Sequence, residues 1–176
     1  MSKTTIYDVS IPTFIRGMRT LAHLLAMAEV YANAKGIPIE DIPNWSLYEN
    51  MKPLSFQVQV ASNTAKKSVE RLTVYQHAPQ WADDEDSLPK LADRVAQTID
   101  FLEKVDRVAL DSPDPENVHL VLKDHEFNMS REDYLFKFAI PNFFFHVQTV
   151  YAILRMKGVE IGKQDYLGAF LGCCAS

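Results

Sequence analysis

The chain has 176 residues, of which 47% are hydrophobic and 23% are charged, which is the composition of one globular domain spanning residues 1–176. Lys and Arg number 18 and Asp and Glu number 23, and the resulting net charge of -5 makes nucleic acid a poor first hypothesis for a partner. No window approaches the roughly 20 apolar residues that cross a bilayer, and the first residues lack the apolar stretch of a secretory signal. We therefore expect a cytoplasmic protein with no membrane span.

Both cysteines, Cys173 and Cys174, are adjacent and close to the C-terminus. They cannot link distant segments as a secreted disulfide framework does, which favours a reducing, intracellular setting. The last four residues also match the loose C-a-a-X pattern, which implies prenylation at Cys173. No polybasic run precedes the motif, so we keep lipidation as an open alternative.

Helical periodicity predicts the first two of four helical segments. Ser10 ahead of Pro12 is the pattern of an N-cap followed by Pro in the first turn, and the helix is expected to end at Gly36. A Pro-rich ordered loop follows. The second helix is expected over Pro53–Tyr75, with Lys66 placed away from its apolar stripe, which consists of Leu54, Val58, Ala61, Ala65, Val69 and Leu72.

The acidic run at residues 83–86 precedes the third predicted helix, Leu88–Ala109. Negative charge at a helix N-terminus is favourable through the helix dipole, so we interpret this run as a solvated cap and not as a metal site.

A short β-hairpin is predicted at residues 118–127, between helices three and four. Ser130, with Asp133 three residues later, indicates the N-cap of helix four, which carries the long apolar block Phe136–Leu154. Pro141 is expected to bend this helix, because a mid-helix Pro removes one backbone hydrogen bond. Gly158 ends the helix, and the following tail either packs back or trails.

None of the five histidines forms the i, i+4 pair typical of zinc sites. We expect His77, His119 and His125 to face solvent. His146 differs because it follows three consecutive phenylalanines in the apolar block. It is either a core histidine with a satisfied hydrogen bond or a group that faces a cavity.

Other polar side chains occur in equally apolar surroundings. Gln57 lies on helix two, and Asn142 precedes His146 by one helical turn. Together with Tyr134 and Tyr151 they could line a pocket for a small organic molecule, or they could form a buried network that only fixes helix register. Hydrolase, nucleotide-binding and dinucleotide motifs do not occur.

A resemblance to a known family covers nearly the whole chain and is carried by Tyr7–Phe14, Asp133–Leu135, Ile140–Val147, Tyr151–Arg155 and Gly158–Gly168. On these segments the chain resembles the domain-of-unknown-function family nineteen-ninety-three of bacteria and fungi. The family is placed in the DinB/YfiT-like superfamily. This implies an all-α fold, a DinB-like four-helix bundle with a long crossover, to which the predicted hairpin between helices three and four is added.

Relatives in that superfamily often resemble metalloenzymes that use one His on the second helix and a His-x3-His pair on the fourth. This sequence departs from the pattern: on helix four His146 has Asn142 and Val150 beside it, and helix two offers Gln57, Gln59 and Asn63. We therefore expect no metal and no other cofactor. Of the family's ligand positions only His146 carries over, and no general activity is implied.

Our leading hypothesis is a protein that binds a small organic molecule, with metal-independent acid/base chemistry at His146 (an isomerase, cyclase or lyase) as its catalytic form. In that form His146 moves a proton, Gln57 and Asn142 orient the substrate, and Phe143–Phe145 excludes water. One alternative is a non-catalytic binding or stress-associated protein. Another is a metal-dependent transferase with His23 and His146 as atypical ligands. A homodimer is expected by family analogy.

Overall fold

The computed structural model describes residues 4–74 and 76–172 and is mostly helical, with one two-stranded sheet. The C-terminal lipidation motif at residues 173–176 and Tyr75, the predicted end of helix two, lie outside the described residues. The described elements, in chain order, are α1 (Ile6–Lys35), a 3-10 helix (Ile39–Asn44), α2 (Leu54–Leu72), α3 (Leu88–Glu103), α4 (Arg107–Asp111), β1 (Asn117–Leu122), β2 (His125–Ser130), α5 (Arg131–Tyr134), a π-helix (Leu135–Ala139), α6 (Ile140–Met156) and α7 (Lys163–Leu171).

Helix α1 begins earlier than the sequence predicted. Thr5 is its N-cap: the Thr5 hydroxyl accepts a hydrogen bond from the Asp8 backbone at 3.3 Å, and Asp8 accepts one from the Thr5 backbone at 3.1 Å. This reciprocal capping box satisfies two free backbone donors, so it outcompetes the predicted cap at Ser10. Pro12 therefore lies inside the helix. The predicted end at Gly36 is confirmed, with φ 65° in the left-handed region.

The single third helix predicted over Leu88–Ala109 is wrong. Helix α3 ends at Glu103, and Lys104 adopts a non-helical conformation. A separate short helix, α4, then begins at Arg107. Its N-cap is Asp106, whose carboxylate accepts a hydrogen bond from the Val108 backbone N–H at 2.9 Å. The N-cap at Asp106 explains the interruption, because a cap residue leaves helical geometry to bind the next turn.

The predicted hairpin is confirmed and is longer than expected. Strands β1 and β2 pair antiparallel from Asn117 opposite Ser130 to Leu122 opposite His125. Alternation buries Val118 and Leu120 of β1 against the helices. His77, His119 and His125 are exposed, as predicted.

The fourth predicted helix is built from α5, the π-helix and α6 in direct succession. Ser130 caps it as expected, accepting a hydrogen bond from the Asp133 backbone at 3.1 Å. A π-helix lies just before Pro141, where the sequence predicts a bend, and in it the Ile140 N–H bonds the Leu135 carbonyl. A wider turn accommodates a residue that has no N–H to continue the regular ladder.

Helix α1 packs against α3, α6 and α7, and α2 packs against α3 and α6, with the apolar core between them. The tail thus packs back instead of trailing: the Thr20 hydroxyl of α1 donates to the Tyr166 carbonyl of α7 at 3.0 Å. Gly17 lets α6 approach α1, since a Cβ there would lie 2.2 Å from Phe143 Cε1. Within the described residues, we find no helix whose length and hydropathy would let it cross a membrane.

Candidate functional site

The candidate site lies where α6 packs on α2 and is centred on His146. Nδ1 of the His146 ring lies 2.7 Å from the Gln57 side-chain oxygen Oε1. The two residues are 89 positions apart in sequence, and both are buried, with exposed fractions of 8% and 3%. The pairing of these two predicted site residues is therefore a product of the helix packing.

Gln57 has a second hydrogen bond that fixes its side chain. Its Nε2 donates to the backbone carbonyl of Lys52 at 2.9 Å, in the turn that leads into α2. Each end of the Gln57 amide thus has a partner, which is what a buried side-chain amide requires.

The other ring nitrogen of His146 is open. Nε2 makes no hydrogen bond to a described residue. Among the described side chains, the only fully buried polar atom without a hydrogen-bond partner is Arg131 Nε. Nε2 of His146 is therefore not fully buried. Solvent therefore reaches Nε2 although most of the ring is covered.

Burial sets the protonation state of the ring. Desolvation lowers the pKa of His146 from the ordinary 6.5 to about 4, because the protein interior disfavours the imidazolium. At neutral pH the ring is uncharged. A neutral imidazole can accept a hydrogen bond or a proton at its unprotonated nitrogen, and it lacks the additional proton that an imidazolium would give to a substrate.

Two exposed aromatic rings flank the imidazole. Phe145 meets it edge-on, with ring centroids 5.2 Å apart, and Phe56 of α2 meets it at 6.2 Å. Their exposed fractions are 60% and 37%. The structure corrects the prediction that Phe143–Phe145 excludes water as one block, because only Phe143 is fully buried, packed at 5.1 Å on Phe14.

Asn142 and Tyr134 lie on the same side of the fourth helix but do not converge on His146. The Asn142 amide donates to the Thr64 hydroxyl at 2.8 Å. The Tyr134 hydroxyl lies 3.0 Å from the Ser68 hydroxyl and accepts from Arg71 at 3.2 Å. With the Gln57–His146 contact, these pairs lie between α2 and the fourth predicted helix, where the sequence analysis left a buried polar network as an alternative to a pocket.

Tyr151 belongs to a different face of α6. Its ring meets that of Tyr166 on α7, with centroids 5.9 Å apart. The predicted place of Tyr151 beside the other site residues is therefore not supported.

Surface clefts lie elsewhere on the described part of the protein. Four clefts have volumes of about 240–570 Å³, and His146 lines none of these four. The largest lies along α7 at Lys163, Gln164, Leu167 and Leu171. The pocket that the sequence suggested at His146 is therefore not one of these four clefts.

The donor set does not fit a metal ion. Across residues 4–74 and 76–172, no three His, Cys, Asp or Glu side chains lie close enough together to hold one. His23, the alternative ligand, has its Nε2 at 2.8 Å from Asp165 Oδ1, in a contact between α1 and α7. The acidity of Asp165 is explained by the same contact, since the bond from His23 lowers the pKa of its carboxyl.

A second polar cluster was missed by the sequence analysis. Arg94 of α3 is 2% exposed, and its guanidinium binds Asp83 at 2.7 Å and Glu85 at 2.6 Å. Two members of the acidic run are therefore partners of a buried cation, which corrects the interpretation of the run as a solvated cap. The available signal was the position of Arg94 within the apolar stripe of its helix, beside Leu91 and Val95.

Lys66 belongs to the same cluster. It is 1% exposed, its Nζ donates to the Pro79 carbonyl at 2.7 Å, and it lies over the Trp81 ring, 4.2 Å from the centroid. Its predicted position away from the apolar stripe is wrong. Desolvation, followed by the positive charge of Arg94, lowers the pKa of Lys66 from 10.5 to about 8. These contacts hold Pro79 and Trp81, which lie between α2 and α3, against Lys66, and they leave the Lys66 side chain almost fully buried.

Comparison with known proteins gives a family and a fold. The model of the family described as domain of unknown function (DUF1993) matches residues 6–167. The crystal structure of a DinB family member protein from Shewanella denitrificans is similar to this one, with a TM-score of 0.82 and 31% sequence identity, covering 92% of this chain and 91% of that chain. No curated protein matches the sequence.

Proposed function

Because the chain belongs to the DUF1993 family, whose description states no activity, we propose a function from the geometry at His146: this protein binds a small organic molecule on the open surface formed by His146, Phe56 and Phe145. One observation carries the proposal. The imidazole of His146, whose Nε2 has no hydrogen-bond partner among the described residues, packs against the exposed rings of Phe145 and Phe56.

This surface has two features that a bound molecule would cover: exposed aromatic area and a polar atom without a hydrogen-bond partner in the described chain. Phe145 and Phe56 expose 60% and 37% of their surface, and covering a phenylalanine side chain is favourable by roughly 2 kcal/mol. The open Nε2 supplies the polar group that fixes orientation, as polar groups do in binding sites lined mainly by aromatic side chains. A molecule with an aromatic body and one polar group satisfies both.

The proposal is binding, not proton transfer. The isomerase, cyclase or lyase form of the hypothesis asks His146 to exchange a proton near neutral pH. Its pKa of about 4 makes the ring a weak base and leaves almost no imidazolium to act as an acid. The low pKa thus favours the non-catalytic binding protein over the acid/base enzyme.

A nuclear magnetic resonance titration tests the proposal, with 4-methylphenol and indole as probes. We expect both to shift the resonances of His146 and of the two flanking phenylalanines. In Phe145→Ala the binding should weaken about tenfold. Phe136→Ala is the matched control, because Phe136 is 57% exposed but lies on the π-helix away from the His146 ring. Unchanged His146 resonances at millimolar probe would contradict the proposal.

The homodimer expected by family analogy is a separate proposal, tested by size-exclusion chromatography with light scattering. A dimer that persists in Phe145→Ala is compatible with small-molecule binding at this surface. A dimer that dissociates in Phe145→Ala but not in Phe136→Ala would assign the surface to a second copy and overturn the small-molecule proposal.

The four-helix bundle with a long crossover also stays a proposal. The packing of α1 on α3 and α6, and of α2 on the same two helices, supports it. Measured distances between spin labels on the four helices would test the arrangement.

A further inference from the structure

We propose that the open nitrogen of His146 is a fixed hydrogen-bond acceptor, so that the site takes neutral aromatic molecules bearing an O–H or N–H group and discriminates against carboxylates. This inference rests on the function proposed above and adds the chemical class of the ligand. It follows from a chain of two hydrogen bonds whose directions are set by the backbone.

The first link is the Lys52 carbonyl. A carbonyl oxygen only accepts hydrogen bonds, so the Gln57 atom 2.9 Å from it must be the amide nitrogen Nε2. The opposite orientation would place two oxygens in contact. The Gln57 oxygen Oε1 is therefore the atom that faces His146.

The second link is the contact of Oε1 with the ring. Because an amide oxygen also only accepts, Nδ1 of His146, 2.7 Å away, must carry the hydrogen. A neutral imidazole has one N–H, so Nε2 carries a lone pair. Reversing the tautomer would leave two buried acceptors facing each other, at a cost of the order of a lost hydrogen bond.

Protonation does not undo this assignment near neutral pH. An imidazolium would carry a hydrogen on both nitrogens and would turn Nε2 into a donor. With the pKa lowered to about 4, only about one ring in a thousand is in that form at pH 7. The open side of the ring thus presents an acceptor to solvent.

Lys52 carries a positive charge close to this surface. Its Nζ lies 5.8 Å from the centroid of the Phe56 ring. A cation there could attract a carboxylate independently of His146, so the variant Lys52→Met serves as a background in which the acceptor alone decides.

Three probes of similar shape test the ligand class at pH 7.5: 4-methylphenol, 4-methylanisole and 4-methylbenzoate. We expect the phenol to bind about fivefold more tightly than its methyl ether, which has the same ring but no donor, since one hydrogen bond is worth about 1 kcal/mol. The benzoate should bind more weakly than the phenol, both in the wild type and in Lys52→Met.

The variant Gln57→Glu should change the preference. One oxygen of the introduced carboxylate can still accept from Nδ1, while the other has no hydrogen for the Lys52 carbonyl and must turn away from it. The negative charge stabilises the imidazolium, so Nε2 gains a hydrogen and becomes a donor. We expect the preference for the phenol over the benzoate to shrink by at least tenfold. Gln148→Glu adds the same charge at an exposed position of α6 and should leave the preference unchanged.

The tautomer itself is measured in the wild type, so the inference does not depend on a variant that folds. Two-bond ¹H–¹⁵N correlation spectra of ¹⁵N-histidine protein distinguish protonated from unprotonated ring nitrogens. A protonated Nδ1 and an unprotonated Nε2 in His146 are expected at pH 7. The reverse assignment would overturn the inference.

The failures of the two proposals are distinguishable. If none of the three probes binds, the proposed function is wrong and the ligand class is wrong with it. If the probes bind without preferring the phenol, or if Nε2 carries the hydrogen, the surface binds small molecules but the acceptor does not select them, and only this inference is overturned.

Discussion

Acid stability is the sharpest consequence of the burial of His146. Its pKa in the folded protein, about 4, lies below the 6.5 of an exposed histidine. Between these values the unfolded chain binds a proton that the folded chain does not. This residue's contribution to the free energy of unfolding is therefore complete above pH 6.5 and is lost as the pH falls to 4.

The size of the loss follows from the shift. Lowering the pKa of His146 from 6.5 to about 4 corresponds to roughly 3 kcal/mol of unfolding free energy in total, of which about 2 kcal/mol is lost between pH 7 and pH 5. The perturbation that isolates it is His146→Asn, because the Asn amide can place a donor where Nδ1 lies but has no group that titrates in this range.

The assay is urea unfolding, followed by circular dichroism, at pH 7, 6 and 5. Carboxyl groups titrate in both proteins, so the quantity of interest is the difference between wild type and variant at each pH. We expect the wild type to lose about 2 kcal/mol relative to His146→Asn from pH 7 to pH 5. His77→Asn, which replaces a fully solvated ring, should follow the wild type; its side chain is 90% exposed. Parallel curves for wild type and His146→Asn would refute the reasoning.

Three further predictions concern the core and the second polar cluster. Gly17→Ala places a Cβ 2.2 Å from the Phe143 ring and should lower the free energy of unfolding by about 2 kcal/mol, measured by urea unfolding; an unchanged value would show that α1 and α6 can separate freely. Arg94→Met leaves two carboxylates without their buried cation and should lower the free energy of unfolding by about 3 kcal/mol. Arg19→Met removes an exposed ion pair and should lower it by under about 1 kcal/mol. Equal losses in the two variants would contradict the burial argument. The pKa of Lys66 is about 8 in the folded protein against 10.5 when exposed, so between these pH values the unfolded chain binds more protons than the folded chain. From pH 8 to pH 10 the free energy of unfolding of the wild type should therefore rise by about 2 kcal/mol relative to that of Lys66→Met. No relative rise would mean that the amine is solvated.

Much of the fold was determined by local sequence patterns. Apolar residues at helical spacing predicted the long helices, because the period of 3.6 residues states which face must be buried. Ser130 and Gly36 marked helix ends through their capping chemistry, and alternation predicted the hairpin. Where two local signals competed, as at Thr5 and Ser10, the prediction failed, because the stronger cap is decided by which hydrogen bonds form.

The sequence by itself also singled out His146 as a polar group in an apolar helix. It could not state its partner, since Gln57 is 89 positions away and only the packing of α6 on α2 brings the two together. The packing of α6 on α7 likewise placed Tyr151 beside Tyr166, and the position of α3 placed Arg94 under the acidic segment. Periodicity predicts the direction in which a side chain points from its own helix. The residue that this side chain contacts depends on the crossing angle and register of a second helix, and both are determined by the packing of the whole core.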